Sequence, residues 1–428
     1  MEKNYEHVLL QKFFQKERWQ KAIQIGVDKG INKSELKYLC SSSTRLTLYD
    51  MIRNNKYEIM PPHQIKIPKE DGSFRIVYSN EGIDRVVLNI LNDLLFEEMP
   101  DLIHSSCKSY QHGIGTGRIL KDLSSKLPAD NGHFIIGFKA DLEKYFDSIK
   151  IEYIDAIFDK IEARCGKSVL ISVLRKYYHS NLCFNTKGYL IKQYQSLKQG
   201  CAVSSFLANS ILFSLDEVMS KQSGYYVRYS DDILYIGGDY NKAKKVLEKC
   251  INSFGLKLNQ DKFEMIYSDR WFKFLGFYLK GNKITFAKSK VKKFQKEIER
   301  VTIKKKKKLT EKQVIRAVMR SLYGGKGNYS WATYVLPVVN VQKDLDQLNL
   351  FAMDCIRACV TNKKEIGGLG SIQDRDDYTV VRGVGKNVKS NREKTEKNLN
   401  GYVSLRCAQN ALLTSREAYD TLIRPMIH

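Results

Sequence analysis

The first sixty residues carry apolar side chains at helical spacing between polar breaks, which predicts a small helical lead-in over residues 1–60. From Gln64 the period changes. QIKIPKEDGSFRIVYS alternates apolar and polar positions on either side of Asp71-Gly72, which predicts a β-hairpin closed by a tight turn. Residues 83–98 (IDRVVLNILNDLLFEE) return to helical spacing, and HFIIGFKAD (133–141) reads as a short apolar strand ending on an acid. Strand pairs are expected again at 225–237 and 272–286, with helical patterns between them. Because strands and helices do not alternate regularly, the expected architecture is mixed α+β, not a doubly wound parallel sheet.

Beyond residue 287 the strand signals stop. Val291, Phe294, Ile298 and Val301 fall on one helix face, Lys288, Lys290, Lys292, Lys293, Lys296 and Arg300 occupy much of the rest, and the run Lys304 to Lys308 follows. Taken alone, this basic amphipathic helix fits a solvated face as well as a grip on phosphates. Helical spacing resumes over 310–323 and 343–360. The glycine-rich, charged stretch 362–400 reads as a loop or interdomain excursion, and 401–423 as one closing amphipathic helix. The expected divisions are 1–60, 61–285, 286–360 and a C-terminal extension, 361–428.

A chain of 428 residues, 43% hydrophobic and with seven prolines, is a folded globular protein of two or three packed units, which excludes collagenous and low-complexity classes. Lys+Arg at 71 against Asp+Glu at 47 leaves a charge of +24, most simply neutralised by a polyanion, so nucleic acid leads the candidate partners. The opening MEKNYEHVLLQKFFQKERWQ breaks its apolar residues with charges, and no run approaches the roughly 18 apolar residues of a membrane span. No membrane association is expected. Nine scattered cysteines without a C-x-x-C pair read as reduced thiols of a cytoplasmic protein, with Cys355 and Cys359 on a core-packing helix face.

The candidate chemistry lies in three acids. Asp141 ends a strand in FKADLEKYFDSI, and Asp231 with Asp232 occupies the turn of YYVRYSDDILYIGG. Two acids brought together from separate strand ends are the minimal site for two-metal nucleotidyl transfer, since each magnesium ion takes one or two carboxylates plus substrate phosphate oxygens. Alone, Asp-Asp between two apolar runs is an ordinary hairpin turn. Gly113-Ile-Gly115-Thr-Gly117 is no dinucleotide fingerprint, because Arg118 stands where the third glycine is needed; a flexible turn is expected there.

The surrounding text changes the reading of the acids. In order, FKADLEKYFDSI, SLKQGCAVSSFLAN and YSDD resemble the first three palm motifs of the reverse-transcriptase family, GLKLNQDKFEMI the fourth and WFKFLGFYL the fifth. IPKEDGSFRIV and IDRVV resemble its fingers motifs, and SYQHGIGTGRIL stands where bacterial members carry a SYGFRPGRS-type segment. The resemblance runs over roughly residues 60–285. It implies a right-hand polymerase: fingers and palm with an antiparallel sheet over 61–285, and a basic helical thumb over 286–360. Asp141, Asp231 and Asp232 would hold two Mg2+ ions, with Mn2+ able to substitute. Phe146 would be the steric gate against a ribose 2′-hydroxyl, in place of a plain core aromatic. Gln199 and Gly200 would lie against the incoming nucleotide and template base, and Arg75 with Lys66 or Lys69 would grip the triphosphate. Lys262 would protonate the leaving pyrophosphate, though as an isolated lysine it is surface charge. Lys288, Lys292, Lys293 and Lys296 would bind nucleic-acid phosphates.

Departures narrow the lineage. Lys198 replaces the usual proline before Gln-Gly, Cys201-Ala202-Val203 replaces the common Ser-Pro run, and no Val-Thr-Gly follows LGFYL as in retron enzymes. A Cys-His nuclease module is absent, and an RNase H or integrase domain has no room. Within the group II intron and retron-like bacterial enzymes, the chain is most similar to stand-alone defence-associated reverse transcriptases, type 2 above all. This implies dNTPs as substrates, a structured non-coding RNA as template, a cDNA product and a role in antiphage defence. Two alternatives stay open: template-independent or protein-primed synthesis, and a maturase-like RNA-binding protein without catalysis, whose usual mark is loss of the acids.

Overall fold

A computed structural model describes residues 6–28, 31–69, 72–128, 132–193, 196–305, 309–324, 331–362, 366–373, 378–383 and 399–427. Asp71, residues 306–308 and much of 362–400 lie outside the described residues. Two compact units emerge, one from residues 1–113 with 137–264, the other from 114–136 with 265–428.

The first unit opens with the helices Glu6–Phe13, Lys16–Asp28, Lys33–Leu39 and Ser42–Arg53. Asn32 and Ser41 cap the third and fourth, each side-chain oxygen accepting from first-turn amides that have no partner within the helix. The expected hairpin is present as β1 (His63–Pro68) and β2 (Phe74–Ser79), antiparallel, with Gly72 at φ 83° after the turn. The next strands in chain order are β3 (Ile135–Asp141), β4 (Leu182–Phe184), β5 (Leu190–Lys192), β6 (Tyr225–Tyr229), β7 (Asp232–Ile236) and β8 (Glu264–Tyr267). They form two four-stranded sheets, in the orders β2-β1-β4-β5 and β6-β7-β3-β8. Helix Gly82–Glu98 buries Val86, Val87, Ile90, Leu91, Leu94 and Leu95 and meets the apolar helix Val203–Ile211, with the Phe96 and Phe206 rings edge to face at 5.5 Å.

The second unit contains helix Thr116–Lys126 and the three-stranded sheet of β9 (Phe272–Phe274), β10 (Phe277–Lys280) and β11 (Lys283–Phe286). The basic helix spans Lys288–Val301 and buries Val291, Phe294, Ile298 and Val301 as its periodicity requires. Helices Glu311–Tyr323, which starts in a Thr310–Gln313 capping box, and Gln342–Val360 follow.

Two expectations fail in this unit. Strands do not stop at residue 287: β12 (Leu369–Gln373) pairs antiparallel with β13 (Tyr378–Arg382) inside the stretch read as a loop. This hairpin is made by tertiary contacts, with the Tyr378 ring stacked 4.4 Å from Tyr278 and the Val380 N–H donating to buried Asp344 Oδ1 at 3.0 Å. The closing helix is two helices, Leu405–Thr414 and Arg416–Ile427. Ser415 is extended between them (φ −164°, ψ 160°), and its hydroxyl accepts from the Ala418 N–H at 3.0 Å, so a serine inside a helical period acts as a cap. Among the described residues no helix is long and apolar enough to cross a membrane.

Candidate active site

The acids expected to converge do so through strand register. β3 and β7 run antiparallel with Asp141 directly opposite Asp232, and the Leu142 N–H donates to the Asp231 carbonyl at 3.2 Å. Cross-strand partners have Cβ atoms only about 5 Å apart. Asp141 is 6% exposed, and its carboxylate takes both Lys262 Nζ contacts, at 2.9 and 3.0 Å, so the fourth motif closes on the first. Burial, then the Asp141 charge, raises Asp231 above the ordinary carboxylate range. Burial, then Asp231 and Asp141, pushes Asp232 up to about 6. The Asp141 charge raises the proton affinity of both Asp231 and Asp232, the mark of a site short of positive charge, and the all-oxygen donor set of the three acids suits a hard divalent cation. Among the described residues no three ligand-type side chains stand close enough together to cage an ion. A two-metal transfer site needs no such cage, because substrate phosphates complete each ion's shell.

The turn that carries Asp231 is held from beneath by residues the sequence did not single out. Arg228, fully buried, forks onto equally buried Asp216 (Nε–Oδ1 2.7 Å, Nη2–Oδ2 2.6 Å). The same guanidinium donates to the carbonyls of Ser230 at 3.1 Å and Asn209 at 2.9 Å. Ser109 Oγ accepts from the Ser230 N–H at 2.9 Å and donates to Asn209 Oδ1 at 2.7 Å. The sequence signals were weak: an arginine in a strand whose neighbours point inward, and an aspartate in an apolar helix, Phe213–Ser220.

The residues expected to meet the triphosphate lie on the β1–β2 hairpin. Register pairs Ile67 with Arg75 and Lys66 with Ile76, so Arg75 and Lys66 project from opposite faces. The Lys69 N–H donates to the Ser73 carbonyl at 2.8 Å, continuing the ladder and returning Lys69 to the Arg75 face. The geometry therefore joins Arg75 with Lys69 and leaves Lys66 behind. All three are exposed. Gln199 and Gly200 abut this hairpin: the Tyr78 N–H donates to the Gln199 carbonyl at 2.6 Å, and Gly200 (φ 104°) approaches so closely that a Cβ would stand 2.8 Å from the Tyr78 carbonyl oxygen. Beside this seam lies a cavity of about 490 Å³ lined by Arg18, Ile25, Ile65, Tyr78, Arg85 and Ala202, among others.

Lys198 anchors the same loop. It is 6% exposed, and its ammonium donates to the carbonyls of Tyr177 at 3.1 Å and Ser180 at 3.2 Å, the C-terminal end of helix Val169–His179. Burial lowers its pKa to about 8, against the opposing influence of Cys201 and Cys183. Between pH 8 and roughly 10.5 the unfolded chain then holds a proton that the folded chain has released, so this group's contribution to stability rises with pH across that window. The expected result is a wild-type melting temperature that climbs relative to Lys198→Met from pH 8 upward and runs parallel to it below pH 8. A flat difference would mean that Lys198 is not buried as a cation.

Phe146 follows Lys144, which is left-handed at φ 45°, and is half-buried, its ring edge to face with buried Tyr145 at 5.7 Å. Considered by itself, the second unit exposes Lys288, Lys292, Lys293 and Lys296 on the basic helix, whereas Lys290 is committed to the Phe277 ring at 4.5 Å.

Residues 67–279 match the family described as reverse transcriptase (RNA-dependent DNA polymerase). The retron Ec48 reverse transcriptase of Escherichia coli is 24% identical over 213 residues, which is 47% of this chain and 48% of that protein. A provisionally named COX1/OXI3 intron 2 protein of Saccharomyces cerevisiae is 23% identical over 301 residues, 54% of this chain and 33% of that protein. The chain thus spans half or less of the curated relatives it matches. An apo telomerase structure from Candida tropicalis aligns over 85% of this chain and 64% of its own at 11% identity, with a TM-score of 0.43.

Proposed function

Because this chain belongs to the reverse transcriptase family and has its right-hand polymerase fold, we propose that it is an RNA-directed DNA polymerase extending a primer by two-metal nucleotidyl transfer. The observation that carries the reading is the register pairing of Asp141 with Asp232, with Asp231 beside them. Members of the family generally use divalent metal ions. Mg2+ held by the three acids would neutralise the attacking 3′-oxygen and the leaving phosphate.

The chain's own residues supply the rest. Arg75 and Lys69 hold the triphosphate, the first by a guanidinium fork. Gln199 and Gly200 carry the nucleotide against the hairpin, and Lys262 passes from Asp141 to the departing pyrophosphate. The lysines of helix Lys288–Val301 bind nucleic-acid phosphates without base readout. The cavity beside Gly200 suits an unpaired template nucleotide, with apolar walls for the base and Arg85 for the backbone. We assign residues 61–285 to fingers and palm, 286–360 to the thumb and 361–428 to a C-terminal extension. The template is a structured RNA, and the cDNA serves antiphage defence, as in the enzymes this sequence resembles.

The test is Mg2+-dependent dNTP incorporation by the purified chain on a primed RNA, beside an unprimed RNA and no template. Incorporation on the primed RNA alone is expected. Equal incorporation without template would replace this reading by template-independent synthesis, and none on any substrate, with RNA still bound, by a maturase-like role.

Sugar choice gives a second expected result. Phe146→Ala should raise kcat/KM for rNTP relative to dNTP by about tenfold or more, since a steric gate discriminates by volume alone. An unchanged ratio in a folded mutant would leave Phe146 a packing residue, whose loss costs about 3–5 kcal/mol and depresses both substrates alike.

A further inference from the structure

Six non-glycine residues of the described backbone have positive φ: Asn55, Tyr110, Lys144, Ser230, Leu275 and Asn362. Asn55 and Asn362 follow helix ends, where asparagine adopts this conformation readily. Lys144, Ser230 and Tyr110 instead cluster at the acids. Lys144 lies three residues after Asp141, Ser230 immediately precedes Asp231, and the Tyr110 hydroxyl donates to Ser230 Oγ at 3.2 Å. Two left-handed residues therefore meet through their side chains at the catalytic turn.

Tyrosine is a poor choice for φ 59°; glycine or asparagine would hold that backbone with less strain. The conformation is imposed by the neighbours: Ser109 is bonded through its hydroxyl to Ser230 and Asn209, and its carbonyl accepts from Asn209 Nδ2 at 2.7 Å. Stability of this backbone alone would favour another residue at 110, which points to a use for the side chain itself. Its hydroxyl end is tied off, yet the residue remains 44% exposed, with its ring tilted against Tyr229 at 6.3 Å. Asp231 and Arg75 both act electrostatically on it, one a proposed cation ligand and the other a proposed triphosphate ligand.

We propose that the Tyr110 ring is a substrate contact, a fixed apolar platform for the sugar and base of a nucleotide unit held over the carboxylates. This rests on the polymerase reading above. The ring's polar end is satisfied, its position is locked by a strained backbone and a hydrogen bond, and that bond ties it to the residue immediately before Asp231. The unit is supplied either by the priming 3′ end or by the incoming dNTP. Burial raises the pKa of the phenol, so the hydroxyl stays a donor to Ser230 and no titration is involved.

The experiment compares Tyr110→Asn and Tyr110→Phe with wild type. Asparagine suits the backbone and removes the ring, whereas phenylalanine keeps the ring and removes only the bond to Ser230. Tyr110→Asn should fold with unchanged or higher melting temperature yet lose about tenfold either in affinity for primed relative to unprimed RNA, assigning the platform to the primer, or in KM for dNTP, assigning it to the incoming nucleotide. Tyr110→Phe should stay within a few-fold of wild type in both. Unchanged values in Tyr110→Asn would overturn the proposal, as would equal losses in the two variants, which would reduce Tyr110 to a prop for Ser230. Wild type assayed in parallel separates these outcomes from a failure of the polymerase reading, which would show as no incorporation by any protein.

Discussion

Asp231→Asn is expected to abolish Mg2+-dependent incorporation, by at least about 10³-fold in kcat, while binding to RNA survives. The substitution keeps size and removes one charge where charge develops on the transferred phosphate, and a single group aimed at such a position carries 10²–10³ or more of the rate. Asp232→Asn should fall as far or nearly so, since it faces Asp141 across the β3–β7 ladder. In the proposed function RNA is held instead by exposed lysines such as Lys292 and Lys296, so its binding should keep its salt dependence. The measurement is single-turnover incorporation beside filter binding of the same RNA at several salt concentrations. Full synthesis in both mutants would remove these acids from the mechanism. Because Asp232 is held near 6, protons compete with the cation at higher pH than for an ordinary aspartate. Wild-type activity at limiting Mg2+ should therefore weaken as pH falls through 6 and recover with more Mg2+.

The β-hairpins around the acids were legible because both depend on period-two alternation within a few residues of a turn. Helix Lys288–Val301 was legible because its four buried residues alone satisfy a 3.6 period. The hairpin of β12 and β13 was not. Its strand character comes from Tyr378 stacking on Tyr278 and from Asp344 receiving the Val380 amide, partners far off in sequence that leave no local period. The acids could be picked out only through the resemblance of the motifs that carry them, since Asp-Asp alone reads as a hairpin turn, and which basic residue accompanies Arg75 was decided only by register, which turns Lys66 away. Arg228 and Asp216 stayed hidden for another reason. The strand around Arg228 and the apolar helix around Asp216 are weak signals taken singly, and nothing in the sequence pairs the two residues before the fold brings them together.

That buried pair leads to the last expected result. Arg228→Met alone should destabilise the first unit by about 3–5 kcal/mol, because Asp216 would be left as an uncompensated charge in a fully buried site. Arg228→Met with Asp216→Leu removes both charges and should recover much of that loss, since an apolar pair of similar volume can stabilise as well as a buried salt bridge. Catalysis should not recover with it. The guanidinium also holds the Ser230 carbonyl at 3.1 Å, and no methionine can replace that bond under the turn that aims Asp231. Hydrogen-exchange protection of β6 and β7 reads the stability of this region, and kcat on a primed RNA reads the aim of the turn. Protection that returns while kcat stays low would make Arg228 a positioning residue of the catalytic turn. Recovery of both together would make it packing alone.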